Sequence, residues 1–230
     1  MDGLMILRLS FLLVVLYLGG NLGESCNCSP MHPQQQFCDA DFVIRGRVVA
    51  KKDSFLPLNN QLDSGDSYID YNVTVERIFK GHQNIKIQTN IAITTAKEDG
   101  RCGVNDLNVR DTYLFAGKGK RMFEIKNCDW VIGYKKLSRK QRQGVRHMYK
   151  QYCNSCKISP CYDEESCNQD DSNTCMWDLS SMMYGDLDCE SIYSRCLRTA
   201  EGTCKWLRSK EVRSCFEGRK HARLSRLINP

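Results

Sequence analysis

The residues with most chemistry to offer are fourteen cysteines and four histidines. His32, His82, His147 and His221 stand apart, and none has a partner at metal-ligand spacing. The chain has no His-Glu-x-x-His helix, no Gly-x-Ser-x-Gly elbow and no phosphate-binding glycine loop. The carboxylates Asp163-Glu164-Glu165 read as solvated loop charge. Cysteines can act as thiolate nucleophiles, as zinc ligands or as disulfides, and the redox compartment decides which. Met1 to Ser25 has the form of a secretory leader: Arg8, an apolar run from Phe11 to Leu18, and a small-x-small site at Gly23-Glu24-Ser25. The apolar run is shorter than the about 20 residues that a spanning helix needs, so no membrane insertion is expected. Cleavage after Ser25 leaves Cys26 first. All the cysteines lie beyond that point, and export into an oxidising space makes them a disulfide framework. Oxidised sulfur supplies neither a nucleophile nor a metal ligand. The expectation is a secreted protein of the extracellular space or matrix, not an enzyme and with no cofactor of its own.

The elements that must carry this framework fall into two groups. Between Cys38 and Cys102 there is no cysteine, and the stretch reads as strands. Phe42–Val49 is rich in β-branched residues, and Ile69–Phe79 places Ile69, Tyr71, Val73, Val75 and Arg77 on one face. Ile85–Ile93 alternates most cleanly, and Thr112–Phe115 and Met122–Ile125 follow. Lys51–Ser67, with Pro57, Asn59-Asn60 and Ser64-Gly65, reads as a long polar loop. Five short strands with turn-rich connections suggest a closed barrel, because closure removes sheet edges. A helix is expected over Arg139–Tyr152, with Ser138 as N-cap and Val145, Met148, Tyr149 and Tyr152 on the face that packs across the barrel; Gly144 weakens it. From Cys153 onward cysteines crowd together among Asp, Ser and Asn, so this segment buries little core and leans on its crosslinks. The expected organisation is a leader at 1–25, a barrel domain at 26–153 and a disulfide-rich domain at 154–230.

The first residues after the leader are Cys26-Asn27-Cys28-Ser29-Pro30-Met31-His32-Pro33-Gln34-Gln35-Gln36-Phe37-Cys38, followed by Asp39 and the Val43-Ile44-Arg45 strand. This opening resembles the tissue inhibitors of metalloproteinases. The likeness continues through Ile78-Phe79-Lys80-Gly81, Arg101-Cys102-Gly103-Val104, Cys128-Asp129 and Gly202-Thr203-Cys204-Lys205-Trp206. The resemblance implies a mainly β fold with helices: a five-stranded oligosaccharide-binding (OB) type barrel of netrin-like form, then a small disulfide-rich domain. It implies the pairs Cys26–Cys102, Cys28–Cys128, Cys38–Cys153, Cys156–Cys204, Cys161–Cys167 and Cys175–Cys196, which sequence alone does not choose. Cys189 and Cys215 exceed the family's usual twelve, and pair either with each other or with another molecule.

The resemblance also implies a mechanism. A catalytic zinc in a protease keeps one position open for water. A free α-amine, with a pKa near 8, ligates zinc once neutral. The carbonyl of the same residue completes a five-membered chelate, so Cys26 can expel the water. Asn27, Cys28, Ser29 and Pro30 are expected along the protease cleft, with Asp99, Gly100, Arg101 and Cys102 flanking them. The family's second residue usually carries a small hydroxyl side chain; Asn27 is bulkier, and an unpartnered amide in an apolar pocket costs roughly 1–3 kcal/mol. Arg101 is more basic than the family norm and is expected to favour an acidic rim. Matrix metalloproteinases are the expected partners, with disintegrin-type enzymes as further candidates.

Two sequons occur, at Asn27-Cys28-Ser29 and Asn72-Val73-Thr74. Asn72 is expected on the surface; Asn27 is expected to stay bare because oxidation of Cys28 buries it. The formal charge of +6 gathers at the C-terminal end. There Lys205, Arg208, Lys210, Arg213, Arg219, Lys220, Arg223 and Arg226 face only Glu211 and Glu217, either as a solvated tail or as a site for sulfated glycosaminoglycan. Two rival readings are a netrin-like binding module and a nucleic-acid-binding barrel. Export and the lack of a basic, aromatic-rich groove argue against nucleic acid.

Overall fold

The computed structural model describes residues 26–55, 67–169, 171–183 and 185–228. The leader at 1–25 and the turn residues Pro57, Asn59, Asn60, Ser64 and Gly65 lie outside them. Among the described residues the protein is mainly β with helices and seven disulfides.

A short helix, α1 (Pro33–Asp39), precedes two long strands, β1 (Phe42–Phe55) and β2 (Ser67–Lys80). Then come β3 (Asn90–Ala96), β4 (Thr112–Gly117), β5 (Phe123–Glu124) and β6 (Val131–Gly133). They form one six-stranded sheet in the order β5-β3-β2-β1-β4-β6, one strand more than expected. Neighbours are antiparallel except β3 and β5, and beyond β4 an antiparallel bridge joins Lys118 to Glu124 of β5. Both strands of the β1–β2 ladder reach into the stretch expected as loop: Lys51–Phe55 pairs with Ser67–Tyr71. Polar residues there, such as Asp53, are accepted because the strand turns them to solvent, where Lys97 meets Asp53 at 2.7 Å.

On β2 the residues Ile69, Tyr71, Val73 and Val75 are buried as their alternation predicts, but Arg77 is exposed and Ile78 buried. The register explains it: Arg45 pairs with Arg77 and Gly46 with Val75, leaving Glu76 as an extra residue. This bulge exchanges inside for outside along the strand. A second correction falls on Ile85–Ile93. The strand starts only at Asn90, because Gln88 takes a left-handed φ of 63° and ends the alternation. Ile85 is therefore 3% exposed but Ile87 is 55% exposed.

The sheet buries both faces. Inside it lie Phe42, Ile44, Tyr71, Val73, Ile93 and Phe115. The other face carries Val43, Leu114 and Ala116 under Phe37 of α1 and Val145 and Tyr149 of helix α2. That helix runs through Arg139–Gln143 in α form, Gly144–Met148 in π form and Tyr149–Tyr152 in α form. Ser138 and Gln141 close a capping box at its start. Gly144 is needed rather than merely tolerated: a Cβ there would lie 2.3 Å from the Tyr149 ring.

The remaining chain builds a second, smaller core. Strands β7 (Lys157–Cys161) and β8 (Thr174–Asp178) pair in parallel, and β9 (Cys196–Arg198) pairs with β10 (Cys204–Trp206). Short helices α3 (Glu164–Cys167), α4 (Ser180–Met183) and α5 (Cys189–Tyr193) connect them, and α6 (Lys210–Ile228) ends the described chain. The core is Ile158, Trp177 and Leu179 packed with half-cystines 175, 196 and 204. No described helix is long and apolar enough to cross a membrane.

Candidate functional site: the Cys26 edge

Residues 26–31 have no regular structure, so two disulfides fix them. Cys26 is bonded to Cys102 with Cα atoms 5.0 Å apart, and Cys28 to Cys128 at 5.2 Å. The two bridges stack: the Cys26 sulfur lies 3.8 Å from those of Cys28 and Cys128. Their closed loops are long, with sequence separations of 76 and 100, and each removes about 4–5 kcal/mol of chain entropy from the unfolded state. Cys102 caps the 3-10 turn Asp99–Arg101 in a left-handed conformation, and its carbonyl accepts from the Asn127 amide at 2.8 Å. Cys26 and Cys28 are half-buried, whereas Asn27, Ser29, Pro30, Asp99 and Gly100 are exposed. The sulfurs of Cys26, Cys102 and Cys128 lie within 4.8 Å of one another. All are oxidised, so this cluster offers no thiolate to a resident metal.

Beside this edge, Arg101 does not point its charge freely outward. Its guanidinium lies 5.0 Å over the Tyr68 ring, donates to the Tyr68 hydroxyl at 2.7 Å, and meets Glu98 at 3.5 Å. An arginine so engaged braces the rim against the far end of the β1–β2 ladder. Tyr68 is a rim residue that the sequence reading missed, since nothing in a Ser-Tyr-Ile strand start signals a cation partner.

The remaining cysteines pair as Cys38–Cys153, Cys156–Cys204, Cys161–Cys167, Cys175–Cys196 and Cys189–Cys215, with no free cysteine among the described residues. The pair that sequence left open is thus internal. A sequence model of the tissue inhibitor of metalloproteinase family matches residues 24–206. The chain belongs to that family. It is 32% identical over 214 residues to metalloproteinase inhibitor 2 of Bos taurus, covering 88% of this chain and 90% of that protein. The Homo sapiens protein of the same name gives the same identity and coverage. Metalloproteinase inhibitor 3 of Gallus gallus is 32% identical over 192 residues, covering 81% of this chain and 84% of that protein. The family is one of inhibitors, not enzymes. Helix α6, with Cys215 and Arg219, lies beyond the matched residues.

In this inhibitor-family chain the segment after the Cys26 edge is locked between the two cores. Gln34 exchanges two hydrogen bonds with Cys196 of β9, donating to its carbonyl at 3.0 Å and accepting from its amide at 2.9 Å. Gln35 donates to the Ile158 carbonyl at 2.8 Å. His32 caps α1, its Nδ1 accepting from the Gln34 amide at 3.1 Å, and its ring sits 5.4 Å from Trp177 and 5.0 Å from Trp206. His32 is 0% exposed. Burial drives its pKa from an ordinary 6.5 down to about 4, against a smaller opposing pull from the Glu190 backbone. A lowered histidine contributes its stability fully above 6.5, and that contribution drains away as pH falls to about 4. The expected loss is about 3 kcal/mol, since one pKa unit is about 1.4 kcal/mol. His32→Asn keeps a capping side chain and removes the titration, so its unfolding free energy should fall less steeply than the wild type's across this range. Parallel slopes in urea unfolding would refute the assignment.

Of the two sequons, Asn72 is exposed on β2 opposite Ala50 and Ala92, and Asn27 is exposed as well. The expectation that oxidation of Cys28 buries Asn27 is therefore corrected. The basic tail is also revised: Arg219 is only 7% exposed and donates to Asp178 and Glu190, so it is not available to a polyanion. Lys205, Arg208, Lys210, Arg213 and Lys220 are exposed.

Proposed function

We propose that this chain is a secreted inhibitor of zinc metalloproteinases of the matrix type, and of disintegrin-type enzymes within reach of the same edge. The α-amine and carbonyl of Cys26 chelate the target's zinc, with Asn27, Cys28, Ser29 and Pro30 in the cleft and Gly100, Arg101 and Cys102 beside it. The observation that carries the reading is the pair of stacked disulfides at an exposed edge. It holds the first residue after the leader in place before any encounter, which limits the ordering entropy lost on binding. The parallel β3–β5 pairing and the Lys118–Glu124 bridge support a closed five-stranded OB-type barrel as its platform, with β6 added outside. The separate cores support an inhibitory domain at 26–153 and a second domain at 154–230. Sulfated glycosaminoglycan remains a proposed second partner, through the exposed tail cations without Arg219.

The test is a panel of matrix and disintegrin-type metalloproteinases titrated with protein that begins at Cys26. Stoichiometric inhibition of at least one matrix enzyme is expected; none across the panel overturns the reading. On the same panel, Asn27→Thr should tighten binding to some enzymes by roughly 5-fold or more, that factor being the low end of the amide penalty. Both proteins should be made unglycosylated, because the substitution also removes a sequon. Equal or weaker binding throughout shows that Asn27 carries no penalty.

A further inference from the structure

We propose that Asn27 is an N-glycosylation site, and that its glycan is a covalent off-switch for the Cys26 edge. The consequence rests on the inhibitor reading above; the modification itself does not. Asn27-Cys28-Ser29 satisfies the acceptor pattern. In the folded, fully oxidised chain Asn27 is exposed and lies in a segment without regular structure. Its amide supports no helix or strand, so modification costs the fold nothing.

Chain order also favours transfer. Cys28 must wait for Cys128, 100 residues downstream, and Cys26 for Cys102, 76 residues downstream. At about 5–20 residues per second of synthesis, Cys28 stays without its partner for roughly 5–20 s. During that interval the sequon is unpaired, extended chain. The chemistry is a group transfer without redox change. The Asn27 Nδ2 bonds to the anomeric carbon of a lipid-pyrophosphate-linked oligosaccharide, the bond from that carbon to the pyrophosphate oxygen breaks, and one amide proton leaves. The lipid pyrophosphate departs with the bonding electrons.

The resulting glycan sits one residue from the proposed metal-binding amine. It covers the exposed Ser29 and Pro30, which line a groove with Tyr162, Trp177 and Met182. A protease cannot bring its zinc to Cys26 past a bulky, hydrated chain. Asn72 is the contrasting case. Its sequon lies within β2, with Val73 buried and the Thr74 hydroxyl donating to Asn90 at 2.7 Å, so a glycan there projects from the sheet.

The experiment is expression of the whole sequence in a eukaryotic secretory host, with peptide mapping of the secreted protein after enzymatic deglycosylation in heavy-oxygen water. Isotope label at Asn27, lost in Ser29→Ala, is expected. An unlabelled Asn27 overturns the proposal, whatever the state of Asn72. A lectin column then splits Asn72→Gln protein into retained and unretained fractions. Loss of inhibition confined to the retained fraction supports the switch. Equal inhibition by both fractions overturns the switch and leaves the site. Loss in both fractions breaks the inhibitor reading and the switch with it, while the mapping still decides the site.

Discussion

Acetylating the amine of Cys26, or placing one residue ahead of it, abolishes inhibition while the protein stays folded. An acetylated nitrogen has no lone pair to give a metal, and an added residue puts an amide where the amine was. The fold has no stake in that nitrogen: Cys26 is held by its sulfur through Cys102, and its segment belongs to no helix or strand. The expected result is therefore a full loss of inhibition with an unchanged melting temperature and an intact set of disulfides. The measurement is titration of one susceptible matrix metalloproteinase with free, acetylated and one-residue-extended protein, alongside thermal unfolding of each. Full potency in a folded, extended protein removes chelation as the mechanism, even if the protein remains an inhibitor by some other contact.

Replacing Arg219 by Met should cost about 3–5 kcal/mol of stability, the usual penalty for stranding a buried charge. Helix α6 turns few groups inward, chiefly Val212 and Arg219. Arg219 donates to Glu190 at 2.8 Å, to Asp178 at 3.2 Å and to the Leu187 carbonyl at 3.1 Å. Burial pushes the Glu190 carboxyl up, and Arg219 works against that push. Without the guanidinium that push is unopposed, and the folded Glu190 carboxyl holds its proton more tightly still. A carboxyl raised in this way carries no penalty below its ordinary 4.5, and the penalty grows as pH rises. The deficit of Arg219→Met relative to wild type should be largest near neutrality and shrink towards acid. Adding Glu190→Gln should recover much of it, because a neutral amide needs no cation. Urea unfolding of the three proteins at several pH values checks this; a deficit that ignores pH, or no deficit, refutes the ion-pair account.

The legible parts of the sequence were those in which local chemistry acts alone. The alternation from Ile69 to Val75, the Ser138 cap with Gln141 three residues on, and the Cys26 opening each carry their own signal. What escaped was decided by distant partners or by a single backbone angle. Arg77 reads as an inward residue until the extra Glu76 is known, and Ile87 until the left-handed Gln88 is known. His32 looks like an ordinary motif residue; its burial comes from two tryptophans on strands built far downstream. Arg219 looked like one more charge in a basic tail. Only the fold brings Glu190 and Asp178 to it, and composition has no means of separating a solvated arginine from a paired one. At the candidate site the same division holds. The two disulfides that fix Cys26 and Cys28 follow from the resemblance, but Tyr68 under Arg101 carries no signal in the sequence.

The bridge from Cys26 to Cys102 has a consequence for where such a protein can act. On the proposed mechanism the reactive group is a chain end, and a chain end with no crosslink wanders. Thiol-rich surroundings would open the bridge and leave the amine as one conformer among many. Copies that stray into the cytosol would then meet intracellular zinc enzymes as a floppy peptide terminus. Under that proposal the chain carries its own safety catch: the oxidising space that closes its disulfides is the space in which it is armed.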